Sequence, residues 1–145
     1  MKFLATSWAF WAALSACFAA LTAIFAKVGV QDVNSDFATF LRTLVVIGVL
    51  AVILSLAGEW GRLSDIPPRA GLFLVLSGLA TGASWLCYFR ALKLGDAARV
   101  APVDKLSVVL VAVFGVIFLG ESLGPLAWLG IGLIGSGVVL VAFAA

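Results

Sequence analysis

The chain has 145 residues, 64% of them hydrophobic and 11% charged, with a formal net charge of +2 and a mean hydropathy of +1.24. A soluble domain carries roughly 45–50% apolar residues, so an ordinary water-soluble fold is excluded, and so small a charge gives no reason to expect a nucleic-acid partner. At about 20 residues per crossing, the length allows only a handful of spans, and the fold class expected is all-α: an integral membrane helical bundle of five transmembrane helices set in a lipid bilayer.

The first span is expected over residues 4–26. Its opening, MKFLATSWAFWAALSACFAA, is like a signal peptide in its single lysine and small residues. The apolar run nevertheless continues to Ala26, past the roughly 7–15 residues of a signal core, which favours a retained helix. Trp8 and Trp11 suit an interfacial belt. Ser15, Ala19, Thr22 and Ala26 recur at helical spacing as an inward stripe on which another helix can approach closely.

The second span is expected over residues 37–57, with Asn34, Ser35 and Asp36 as capping candidates ahead of it. Arg42 falls roughly 7–9 Å from its start at 1.5 Å per residue. A guanidinium keeps its proton and is costly in hydrocarbon, so it either snorkels to the headgroups or faces a protein-lined, partly wet cavity. The inward alternative makes Arg42 a candidate substrate-binding residue. The connection over residues 58–69, with Glu59, Arg62, Asp65 and the Pro67-Pro68 pair, reads as a solvated loop.

The third span is expected over residues 70–89. Gly78 and Gly82 form a G-x-x-x-G pair, a weak signal that commonly marks close helix packing alone. Thr81 and Trp85 fall on nearly the same side, with Tyr88 at its edge, and Arg90 closes the span. Trp85 and Tyr88 read either as an aromatic wall for an organic solute or as an interfacial belt. Cys17 and Cys87 lie within apolar runs without ligand neighbours and are expected to be buried free thiols, since free cysteine behaves as a small hydrophobe.

Gly95 stops the helix, and Ala101-Pro102 is expected to start the fourth span, residues 102–119, because proline fits the first helical position. On that register Asp104 is the third residue of the helix, where the dipole favours a carboxylate, and a cap explains it fully. Asp104, Ser107, Val111 and Gly115 also share one stripe, which supplies a carboxylate and a hydroxyl to a water-accessible groove. Lys105 lies about 100° around the helix from Asp104 and is not expected to face it. Glu121 is expected to be stabilised by the positive end of the fifth span, residues 125–144, where Gly132 and Ser136 form another small-residue contact.

Histidine is absent, which removes the commonest metal ligand, and neither a metal nor a cofactor is expected. No nucleophile–base pair or glycine-rich phosphate loop is present, so an enzyme is not expected. Lys2, Arg62 and Arg69 fall on the amino-terminal side, and Lys27, Arg90, Lys93, Arg99 and Lys105 on the other, Arg42 being left out as intramembrane. That excess is too slight for the positive-inside effect to fix one orientation. Two copies inserted in opposite senses would build the inverted-repeat architecture of several transporters, and an antiparallel homodimer is expected.

The runs FAALTAIFAKVGV, FLRTLVV, SGLATGASWLCYFRALKLGDAARVAPVDKLSVVL and FLGESLGPLAWLGIGLIGSGVVL resemble the bacterial EamA family of drug/metabolite transporters, most of all its single-repeat members. The connection between the third and fourth spans is the more specific part of the match. The resemblance implies that residues 1–145 form one five-helix repeat, that repeats pair in inverted fashion, and that small metabolites cross the bacterial inner (cytoplasmic) membrane. Related small multidrug exporters use a glutamate in their first helix, and the first span here has no acid, so cation export by that route is not expected.

The leading expectation is therefore a secondary transporter of a small organic metabolite working by alternating access. Arg42 would attract an anionic or zwitterionic group, and Asp104 would balance charge or bind a coupling proton. Trp85 and Tyr88 would line the path, and Thr81 and Ser107 would offer hydrogen bonds. The alternatives are a non-transporting membrane subunit packed with a larger transporter, or a lipid-flipping relative.

Overall fold

A computed structural model describes residues 7–144. Residues 4–6 of the expected first span, and Lys2 of the charge count, lie outside them. Among the described residues every regular element is helical: α1 (Trp8–Gly29), α2 (Ser35–Ala57), a single 3₁₀ turn (Leu63–Asp65), α3 (Pro68–Leu94), α4 (Ala97–Asp104), α5 (Ser107–Leu119) and α6 (Pro125–Phe143). Five segments are long and apolar enough to cross a bilayer: α1, α2, α3, the pair α4 and α5 taken together as Ala97–Leu119, and α6.

The helix ends follow local chemistry. Asn34 caps α2, its side-chain oxygen accepting from the N–H groups of Asp36 at 2.9 Å and Phe37 at 3.1 Å. These are two of the donors that a helix start leaves without partners. At the other end Gly58 turns into the left-handed region with φ 68°, and the Glu59 N–H reaches back to the Leu54 carbonyl at 3.1 Å. Gly120 repeats this device after α5, with φ 68° and a 3.1 Å bond from the Glu121 N–H to the Gly115 carbonyl. Within the spans, the hydroxyls of Thr39, Thr43, Ser55, Thr81 and Ser136 each donate to the carbonyl four residues earlier. In lipid this satisfies a donor without help from water.

The fourth span departs from expectation. The helix restarts at Ala97, with Asp96 extended in the capping position but making no side-chain cap bond, and Pro102 lies inside α4. The alanine-rich stretch before Pro102 is itself a good helix former, so the helix begins before the proline is reached. Asp104 is consequently the last residue of α4, not the third of a new helix. Beyond Pro102 the chain tightens into i→i+3 bonds, Lys105 to Pro102 and Leu106 to Val103 at 3.0 Å each and Val108 to Lys105 at 2.9 Å, before α5 resumes. Short 3₁₀ stretches of this kind are common where an α-helix is interrupted.

The chain divides into two compact units. In the first, residues 7–25 and 94–144 of the described chain, α6 packs on α4 and α5. Gly135 sits against Val109, where an added Cβ would stand 3.5 Å from a valine methyl. Arg99 donates to the Ala144 carbonyl at 3.0 Å and so ties α4 to the residue that ends α6. The second unit, Ala26–Lys93, holds the last turn of α1 with α2 and α3. Its buried residues, Ala26, Val30, Thr39, Phe89 and Leu92, all lie toward the end where α1 hands over to α2 and α3 finishes.

The buried apolar residues of the described chain are Ala23, Ala26, Val30, Phe89, Leu92 and Val138. Most large apolar side chains of the spans are exposed, as suits helices whose solvent is lipid. Cys17 and Cys87 are exposed as well, contrary to expectation, because an apolar neighbourhood in a membrane helix does not imply a protein core. Of the small-residue stripe on α1, Ala26 is buried and Thr22 half-buried, but Ser15 and Ala19 are exposed.

Candidate functional site

Arg42 lies on the second turn of α2, and its side chain turns toward α3. The guanidinium carbon stands 4.0 Å from the centre of the Trp85 ring and 5.6 Å from that of Phe89. Arg42 and Trp85 are half-buried and Phe89 is buried. A cation held this close to an indole face is attracted by the ring quadrupole, by about 0.5–2 kcal/mol according to how far it is desolvated. Trp85 and Phe89 are four residues apart on α3 and therefore present one face. Among the described residues Trp85 and Phe89 engage the face of Arg42, and none forms a hydrogen bond or ion pair with its N–H edges.

Tyr88 is half-buried beside the same group, its ring 6.5 Å from that of Phe89 at 66°. Thr81, one turn before Trp85, is exposed, and its hydroxyl proton is committed to the Ser77 carbonyl at 2.8 Å. What remains for another molecule is the acceptor capacity of that oxygen.

Toward the same end of the second unit, three long side chains clasp the helices together. Arg90 meets Asp36 two-pronged, Nε to Oδ1 at 2.9 Å and Nη2 to Oδ2 at 2.6 Å. Lys27 donates to the Leu92 carbonyl at 2.8 Å, and Lys93 to the Val33 carbonyl at 2.7 Å. Leu92 is in the last turn of α3, whose carbonyls have no helical partner and carry the negative end of the dipole. The sequence reading treated Asp36 as a cap and Arg90 as a closing charge, and missed both their pairing and Phe89. A signal existed: opposite charges at the opening of the second span and the close of the third meet on one side of a bilayer. The four-residue step from Trp85 likewise marks Phe89.

The remaining expected residues, Asp104 and Ser107, belong to the first unit and lie on either side of the break at Lys105-Leu106. Asp104 is half-buried and accepts from Lys105 at 3.0 Å, with the two side chains 33% and 55% exposed. The expectation that Lys105 would face away from it fails because the chain leaves regular α geometry at Lys105, where ψ is −2°. Ser107 is exposed at the start of α5. Further along, the Glu121 side chain lies over Gly115. A Cβ on Gly115 would stand 2.6 Å from the Glu121 carboxylate oxygen. The structure thus brings Arg42, Trp85 and Tyr88 into one neighbourhood of the second unit, with Thr81 a turn away, and holds Asp104 and Ser107 near each other in the first.

The EamA-like transporter family matches residues 6–143. A protein of Sinorhizobium sp. named "Uncharacterized transporter in cobO 3'region" is 65% identical over 136 residues, covering 94% of this chain and 96% of that protein. No solved structure matches.

Proposed function

The chain belongs to the EamA-like transporter family, and from that premise we propose that it is a secondary transporter of a small organic metabolite across the bacterial cytoplasmic membrane, working by alternating access between two inverted copies. The observation that carries this reading is Arg42: a permanent cation inside an apolar span, leaning on Trp85 of the neighbouring helix and leaving its hydrogen-bonding edges open. A charge at that depth is costly unless it meets water or a polar ligand, and a solute path supplies both. Trp85 and Tyr88 are proposed to line the path beside Arg42, with Thr81 offering an acceptor. Asp104 and Ser107 are proposed as its second polar group, Asp104 balancing charge or taking a coupling proton.

Pairing of copies is supported by small-residue positions that no described residue covers. A Cβ placed on Gly78, Gly82 or Gly132 would find no atom within 4 Å, so those faces are free to meet another helix. The same faces favour the second reading, a non-transporting subunit packed on a larger partner. In everted membrane vesicles, Arg42→Ala and Asp104→Asn are each expected to abolish solute flux while leaving expression and dimer formation intact. Flux that survives both changes refutes the roles given to these charges, and loss of assembly in both assigns them to structure.

A further inference from the structure

Within the spans, the charges that could meet a solute are few, and most are already engaged. Asp36 is held by both prongs of Arg90, and Asp104 accepts from Lys105. The described parts of the other three spans contain no acid. Lys27, Lys93 and Arg99 donate to backbone carbonyls near the helix ends. Arg42 differs from all of these. Its flat face rests on Trp85 with Phe89 beyond, and none of its five N–H groups is taken by a described residue.

We propose that the cargo is a small organic anion whose carboxylate, phosphate or sulfonate group docks edge-on against the Arg42 guanidinium, and that it carries no compensating positive charge. The planar fork of arginine matches two oxygens of such a group in parallel N–H···O bonds, which are stronger than bonds between neutral partners. With Trp85 on its face, the fork is held toward α3, so fewer orientations are lost when the anion arrives. An anion at Arg42 would leave the site near neutrality, the condition under which a charged solute can traverse a low-dielectric region. A zwitterion or a cation would need a carboxylate for its ammonium group beside Arg42, and the one carboxylate in the spans of the second unit, Asp36, is already held by both prongs of Arg90.

The inference rests on the transport reading above, but it is tested by binding. The purified full chain is placed in phosphatidylcholine nanodiscs and its thermal denaturation followed with 3-phenylpropionate, phenylalanine and phenethylamine, which share one skeleton and differ in charge, and with methyl phosphate. The two anions are expected to raise Tm, and phenylalanine and phenethylamine are not. Arg42→Ala should remove the rise. Arg42→Lys, which keeps the charge and loses the fork, should weaken the apparent affinity about 10-fold, and it stands as the test if the alanine variant does not fold.

Stabilisation by the zwitterion or the cation equal to that by the anion overturns the proposal, as does a rise that persists without Arg42 or no rise with either anion. A parallel arm adds phosphatidylglycerol to the discs. If that lipid raises Tm through Arg42 and abolishes the response to the soluble anions, the fork belongs to a lipid phosphate and the solute assignment falls. Anion-dependent stabilisation without any flux would end the transport reading and leave the anion site standing, whereas flux of phenethylamine would do the reverse.

Discussion

The contact between Arg42 and Trp85 joins residues that periodicity identifies separately, one as a charge out of place in an apolar span and the other as an aromatic on a helix face. Their meeting depends on how α2 and α3 are rotated about their axes, which no single-chain spacing encodes. Neighbouring residues were also misread where ideal geometry was assumed: the 100° step from Asp104 to Lys105 holds only for an unbroken helix, and this one tightens after Pro102. The glycines illustrate how one residue type carries different costs. Gly120 adopts φ 68°, a conformation that strains an alanine by roughly 1–2 kcal/mol, so Gly120→Ala should lower Tm in detergent. Gly115 is helical, and an added Cβ would press only on the far end of the Glu121 side chain, which can swing aside. Alanine is also the better helix former by about 1 kcal/mol, so Gly115→Ala should leave Tm unchanged or slightly raised. A loss at Gly115 equal to that at Gly120 would show that the Glu121 carboxylate is held rigidly in its place.

The helices themselves were legible because apolar runs of about 20 residues bounded by glycine, proline and charge have few alternatives in a chain of this composition. The exceptions lie where a boundary residue has two uses. Proline can open a helix or interrupt one, and at Pro102 it interrupts, because the residues before it are already helical. Between elements, the clasp of α1, α2 and α3 is built from lysines and an arginine that the charge count treated only as topology signals. Its central pair is well exposed, the Arg90 and Asp36 side chains at 61% and 45%, and solvent screening leaves exposed ion pairs a small contribution. A double-mutant cycle of Asp36→Asn and Arg90→Gln should therefore return a small coupling at low salt, shrinking as salt is added. A coupling that does not respond to salt would mean that the pair is shielded from solvent in the membrane-embedded protein.

At the scale of the whole molecule, the apolar surface and the small core belong together. Few side chains are buried, most of those that would fill a soluble core are exposed, and lipid or further copies of the chain must cover them. Family membership adds transport to this picture, in keeping with the runs of sequence that resemble that family. The cargo was less legible, because the charge state that a site selects depends on which side chains are already paired, and pairing is a property of the fold. What the molecule does as a whole turns on whether this chain alone moves a solute. The most direct measurement is tracer uptake into liposomes that contain only the purified wild-type chain, beside liposomes containing Arg42→Ala at equal protein content. Saturable uptake of a small organic anion in the first and none in the second is expected. Intact, correctly inserted protein that carries no solute under any imposed gradient would contradict a transporter and identify the chain as a subunit of something larger.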